Sequence, residues 1–215
     1  MCAMYAQGRL KPMEVIIKSF TPKPVNVCSE AAGTSYGKSD ASAKRLATCA
    51  KGGHLSVFEH ATVTFRISGI SRACSHQLVR HRLASFVQKS QRYTRVDGNS
   101  EFYVIPPSIC DTNATLDLYG EAMDACAKAY QGLLAAGIKP EDARFVLPEA
   151  TETEITVTMN YRSLFNFFDL RLDSASQWEI RTLAWSMYFA CVNCGDRQVA
   201  AMIEYYDKYI KTAEE

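Results

Sequence analysis

Two short stretches of strict alternation do most to limit what this chain can fold into. In Ala61 to Ile70 (ATVTFRISGI), Val63, Phe65 and Ile67 alternate with Thr62, Thr64 and Arg66; Thr151 to Met159 (TETEITVTM) alternates in the same way. A period of two puts every second side chain on one face, so each stretch reads as a strand with an apolar and a polar side. Each must lay its apolar face against a second layer. Helical patterns supply that layer. Leu116 to Ala136 reads as a long helix with Gly137 at C′. Tyr161 to about Asp169 and Ser174 to Cys194 follow, the second opened by a Ser174-x-x-Gln177 capping box and closed by Gly195, and an amphipathic piece spans Val199 to Ile210. Glu14 to Phe20 reads as a further strand closed by Pro22 and Pro24. Asp40 caps a helix over Ala41 to Lys51, Ser71 caps one running to about Ala84, and Glu101 to Ile105 forms a short strand. Pro140 starts a short helix ended near Pro148. Nothing repeats and no low-complexity linker divides the chain, so residues 1–215 read as a single mixed α+β domain.

Bulk composition removes several functions. The 215 residues are 47% hydrophobic and 22% charged, enough for one sizeable core. A formal net charge of +1 gives no whole-chain reason to bind a polyanion. Met1 to Val15 carries no long apolar run and no small-residue cleavage pattern, so no signal peptide is expected. No run of about 18 apolar residues suggests a membrane span. Eight scattered cysteines in a chain of this size read as reduced thiols in a cytoplasmic protein. Cys191 and Cys194 form a lone Cys-x-x-Cys pair with no second pair to complete a metal site, so no metal is expected and an apolar helix setting is the simpler reading.

Charge is nonetheless distributed unevenly. Between Glu59 and Asp97 there is no acidic residue, while Arg66, Arg72, Arg80, Arg82, Lys89, Arg92 and Arg95 all fall there, with His60, His76 and His81. The dense centre is Arg80-His81-Arg82 followed by Lys89-Ser90-Gln91-Arg92-Tyr93. Guanidinium forks suit phosphate, and Ser and Gln add orienting hydrogen bonds. A solvated basic helix followed by a surface loop is the plain alternative. Against it, the arginines are not interleaved with carboxylates. On a continuous helix Arg80 and Arg82 would point about 200° apart, so both could serve one ligand only if the helix ended there; otherwise they would serve two ligands or two subunits. None of the eleven glycines forms G-x-G-x-x-G or a P-loop, so a nucleotide would have to be held by side chains.

Arg80-His81-Arg82, seven residues and then Ser90 match the Arg-His-Arg-x7-Ser signature of flavin-dependent thymidylate synthases, and the run QLVRHRLASFVQKSQRY resembles that family throughout. Further resemblances are Gly53-His54-Leu55-Ser56 through Glu59-His60, Ala143-Arg144-Phe145-Val146-Leu147-Pro148, Asn160-x-Arg162-Ser163-Leu164-x-Asn166-Phe167, and Leu170-Arg171 with Ala175-x-Gln177-x-Glu179-Ile180. The resemblance covers roughly Ala31 to Ile180. It implies a central, mostly antiparallel sheet flanked by helices. It also implies a homotetramer with shared active sites, in which FAD, reduced by NADPH, and 5,10-methylenetetrahydrofolate convert dUMP to dTMP. By similarity, FAD is contacted by Ser35, Ser56, Glu59, Arg80, His81, Arg82, Leu83, Gln88, Asn160, Arg162 and Asn166. The same similarity surrounds dUMP with Gln77, Gln88, Lys89, Ser90, Gln91, Arg92, Arg144 and Arg171. Ala175 stands where some relatives carry histidine, and Gln88 where some carry glutamate.

Arg171, permanently charged, is expected to stabilise charge developing on the uracil carbonyls. Ser90 has no base beside it in sequence and is read as a nucleotide ligand rather than a nucleophile. By the same resemblance, His54 is expected to act in access or orientation of nicotinamide and folate, and His76 is expected to be structural. Phe165, Phe167, Phe168, Trp178 and Trp185 are expected in the core. Two rival readings remain: a nucleic-acid-binding module using Phe86, Tyr93, Phe102 and Tyr103 as stacking platforms, and a flavoprotein on the same scaffold without methyl transfer. The other type of thymidylate synthase needs a nucleophilic cysteine, and neither Cys74 nor Cys110 has a matching setting.

Overall fold

The computed structural model describes residues 12–96 and 102–211. Four strands, β1 (Glu14–Phe20), β2 (Thr62–Ser71), β3 (Ala84–Gln88) and β4 (Glu152–Asn160), form one antiparallel sheet in the order β1-β2-β4-β3. With its helices this is the expected α+β class. The two strongly alternating segments are the central strands. Val63, Phe65 and Ile67 of β2 and Ile155, Val157 and Met159 of β4 are buried on one side. On the other side Thr64 and Thr158 share a hydroxyl hydrogen bond of 2.9 Å. The alternation of β2 breaks at Gly69, whose φ of +70° suits glycine; a Cβ there would sit 2.5 Å from the carbonyl oxygen of Pro12.

The described residues form two compact units. The first comprises residues 12–14, 68–77, 88–96 and 102–155, including the long helix α4 (Asn113–Ala135) and the single turn α5 (Pro140–Ala143). Its core gathers Phe102, Tyr103, Ile105, Met123 and Ala127. The second comprises residues 15–67, 78–87 and 156–211. It contains α1 (Pro24–Thr34), α2 (Ala43–Lys51), a 3-10 turn (Leu55–His60), α6 (Tyr161–Arg171), α7 (Trp178–Val192), α8 (Arg197–Tyr205) and a terminal π turn (Tyr206–Ile210). Its core is aromatic: Phe165 stacks on Tyr206 at 5.4 Å and meets Phe58 edge-on at 5.4 Å.

Several boundaries differ from expectation. The helix after β2, α3, spans only Arg72–Leu78, although Ser71 caps it as expected by accepting from the Cys74 N–H at 3.0 Å. Strand β3 occupies residues read as helix end and loop. Helix α1 was hidden by its proline pair: Pro24 sits at the first helical position, where its missing N–H costs nothing. Ser42, not Asp40, caps α2; Asp40 instead pairs with Arg45. Gln177, not Ser174, caps α7, accepting from the Glu179 and Ile180 N–H groups. Around Phe102–Ile105 only a single bridge, Tyr103 to Thr151, forms, and Glu101 lies outside the described residues, as does most of the stretch read for a signal peptide. Phe165, Phe167 and Phe168 are fully buried, but Trp178 is half-buried and Trp185 is exposed. Among the described residues no helix is long and apolar enough to cross a membrane.

Candidate functional site

In the second unit the Arg-His-Arg segment is a turn, because α3 has already ended. The His81 N–H closes onto the Leu78 carbonyl at 3.1 Å. Leu83 takes a left-handed φ of +61° before β3 begins, a conformation that strains any residue with a Cβ. Of the two ways to reconcile Arg80 with Arg82, the fold takes the ending of the helix. Both arginines are exposed, as is Leu83, and neither guanidinium has a partner among the described residues.

His81 is buried between them. Its ring meets Phe167 edge-on at 4.8 Å, and its Nε2 accepts a 2.9 Å hydrogen bond from Nε of Arg171, the last residue of α6. An accepting Nε2 places the proton on Nδ1 and makes the imidazole neutral. Burial, and secondarily the Arg171 charge, push its pKa down to about 4. Arg171 is half-buried, and its two terminal nitrogens have no partner among the described residues. The fork is therefore oriented through Nε and still open at its tip.

Helix α6 begins where Asn160 accepts from the Ser163 N–H at 2.8 Å. Arg162, Asn166 and Leu170, spaced by four, share its exposed face. Arg162 is paired with Glu59 of the 3-10 turn, which also carries exposed Ser56, with exposed His54 just before it. Glu59 and Arg162 are thus brought together, as are His81 and Arg171. Among the described residues, no side-chain hydrogen bond joins Ser35, exposed after α1, or His54 to these pairs.

The first unit carries the other set. Gln88 ends β3 with its amide nitrogen donating to Ser75 Oγ at 2.7 Å and Thr153 Oγ1 at 3.3 Å. The Lys89 N–H donates to the Glu154 carbonyl at 2.8 Å. Ser90 then opens a turn: its Oγ accepts from the Arg92 N–H at 3.2 Å, and its carbonyl accepts from the N–H and hydroxyl of Thr94. No carboxylate or imidazole among the described residues bonds to Ser90 Oγ. Arg92 holds Glu141 Oε2 through Nε and Nη2 at 3.1 and 3.0 Å, and lies over the Tyr93 ring at 5.6 Å. Arg144 donates from Nε to the Glu141 carbonyl at 3.0 Å, which leaves its terminal nitrogens open. Gln77 and Gln91 are half-buried and the Lys89 side chain is exposed.

Sequence reading missed Glu141, which lies outside the acid-free stretch, and missed the use of Arg72, whose Nη2 donates to the Lys89 carbonyl at 2.8 Å. His76 is exposed and pairs with Glu149. Phe102 and Tyr103, needed as stacking platforms by the nucleic-acid reading, are core residues.

Comparison with known proteins identifies the family. The family described as thymidylate synthase complementing protein matches residues 16–193. The flavin-dependent thymidylate synthase of Geobacter sulfurreducens is 55% identical over 135 residues, 63% of this chain and 58% of that protein. Its counterpart in Pyrococcus horikoshii is 42% identical over 188 residues, 81% of this chain and 77% of its own. In the Geobacter protein and in the counterparts from Pyrococcus abyssi and Pyrococcus furiosus, the matched region spans 58%, 56% and 56% of the relative's own length. A crystal structure of thymidylate synthase X from Helicobacter pylori with FAD and dUMP superposes with a TM-score of 0.71 at 28% identity, covering 92% of this chain and all of that one. A UMP/dUMP methylase from Streptomyces cacaoi shares the fold at a TM-score of 0.79 and 24% identity, over 95% of this chain and 99% of that one. With the family matched across most of its length, this chain belongs to the flavin-dependent thymidylate synthases.

Proposed function

We propose that the chain converts dUMP to dTMP by reductive methylation, with 5,10-methylenetetrahydrofolate as one-carbon donor and FAD reduced by NADPH. The observation that carries this reading is the Arg171 guanidinium, fixed through Nε by a neutral His81 with its tip left open. A fork held in this way can meet charge developing on a uracil carbonyl without reorganising, which is where an electrostatic catalyst has its largest effect.

The residues present fit a flavin. Arg80 and Arg82, whose guanidinium groups have no partner among the described residues, can meet a pyrophosphate, and Ser56, Asn166 and the Glu59–Arg162 pair add exposed polar groups in the same unit. FAD, when bound, supplies the hydride chemistry; the protein binds, orients and polarises. Lys89, Ser90, Gln91, Arg92 and Arg144, with Gln77 of the same unit, hold the nucleotide. The pairing of Arg92 with Glu141 leaves Arg144 as the more available phosphate fork. Ser90 acts as a ligand, consistent with its lack of a base. Gln88 acts through the scaffold, since its amide nitrogen is spent on Ser75 and Thr153. His54, exposed beside the 3-10 turn, orders the approach of nicotinamide and folate.

A homotetramer with shared sites is supported by the exposed apolar stripe Trp185, Phe189 and Val192 on α7, whose first two rings stack at 5.6 Å. Buried thiols at Cys28, Cys49, Cys74 and Cys191 suit the reducing cytoplasm. The absorption spectrum of the purified protein tests the reading. Flavin bands near one per chain, perturbed by dUMP but not by dCMP, are expected. A colourless protein that cannot be reconstituted with FAD would overturn it.

A further inference from the structure

Arg72 stands at the junction where β2 becomes α3, with its own N–H bonded to the Thr151 carbonyl at 2.9 Å. Its side chain turns toward the end of β3, where Nη2 donates to the Lys89 carbonyl. That carbonyl belongs to the residue immediately before Ser90, so the bond sets where the Ser90 turn begins. The Lys89 N–H is pinned to the Glu154 carbonyl, and the Gln88 amide to Ser75 and Thr153. Among the described residues, the turn beyond Lys89 is closed only by bonds internal to residues 90–94 and by the exposed Arg92–Glu141 pair. Arg72 is thus a side-chain anchor within the segment read as the nucleotide's ligands, acting at Lys89.

Its environment is unusual for an anchor. Nε is buried and has no hydrogen-bond partner among the described residues. The Arg144 charge is close enough to disfavour its protonated form, second only to burial, with Glu149 acting in the opposite sense. A neutral side chain would avoid both costs, so packing alone does not account for arginine here.

We infer that Arg72 is a positioning residue of the nucleotide site, holding the Lys89 carbonyl so that the Ser90–Arg92 turn presents its donors in fixed register. The inference rests on reading residues 88–92 as ligands of dUMP. Arg72 acts through Lys89 and does not touch the nucleotide.

Two readouts on the full-length protein test it: amide hydrogen exchange of residues 89–94 without nucleotide, and dUMP affinity by titration. R72M, of similar length but unable to donate, should speed exchange in that turn roughly ten-fold or more and weaken dUMP by a similar factor, with the flavin ratio unchanged. R72K, which keeps a charged donor of nearly the same reach, should restore both to within a few-fold. R72L, which likewise cannot donate and is read the same way, covers the case in which R72M fails to fold. Unchanged exchange in the turn overturns the inference, including when dUMP binding weakens, because Arg72 would then act on the nucleotide directly. If the wild-type protein does not bind dUMP, the functional reading falls, while the exchange result still decides whether Arg72 anchors the turn.

Discussion

In the unit carrying Ser90, the guanidinium groups of Arg72, Arg92 and Arg144 are each engaged by protein: a backbone carbonyl, a carboxylate, and a second carbonyl. In the unit carrying the Arg-His-Arg turn, Arg80 and Arg82 are exposed and have no partner among the described residues, while the ordered groups are the His81–Arg171 and Glu59–Arg162 pairs. Held forks meet a small rigid anion with little further ordering, which suits a mononucleotide. Free arginines lose side-chain entropy on binding and suit a long, flexible cofactor that contacts many groups at once. The difference is one of preorganisation, and the substitutions at Arg144, Arg82 and Glu141 below each act on one unit.

The largest expected effect is at Arg171. R171K keeps the charge but loses the fork, and should cut turnover of dUMP to dTMP by about 100-fold or more while flavin content stays the same. Turnover within a few-fold of wild type would remove Arg171 from its assigned role. Next is acid sensitivity from His81. Its pKa is about 4 folded against about 6.5 unfolded, so between those values the unfolded chain holds more protons. This contribution to stability is constant above pH 6.5 and falls as pH drops toward 4, by at most about 3 kcal/mol. H81Q, which cannot titrate, should flatten that limb in urea unfolding at pH 7 and 4.5; an identical limb would assign it to other groups.

Smaller and more selective are R144Q and R82Q. R144Q should weaken dUMP about ten- to a hundred-fold at constant flavin ratio, and R82Q should lower flavin retention with dUMP affinity changed less, as titration of reconstituted protein would show. Both variants losing both ligands equally would erase the distinction between the units. Smallest is E141Q. Its pair with Arg92 is exposed and worth at most about 1 kcal/mol, so dUMP affinity should move by no more than about five-fold in equilibrium titration.

What the sequence revealed followed from how local each signal was. Strands β2 and β4 were legible because burial on one face writes a period of two directly into the residues. Strand β3 was not, since as an edge strand with Val87 75% exposed it carries no such pattern. The early end of α3 was invisible because Val79 to Ala84 are acceptable in a helix; the left-handed Leu83 and the contacts of His81 with Phe167 and Arg171 belong to the fold, not to the local sequence. For the site, the signature named residues but not their partners. His81 meets Arg171 90 positions away, Arg92 meets Glu141 49 away, and Arg72 meets Lys89 17 away. The acid-free stretch is consequently not acid-free in space, since Glu141 and Glu149 are folded onto it.

The most direct test of the central claim is product analysis after incubating the purified chain with dUMP, FAD, NADPH and 5,10-methylenetetrahydrofolate. The expected result is dTMP that accumulates over many turnovers and disappears when FAD or the folate is omitted. A protein that binds FAD and dUMP yet forms no dTMP under those conditions would contradict the claim and leave a flavoprotein that has kept the scaffold without methyl transfer.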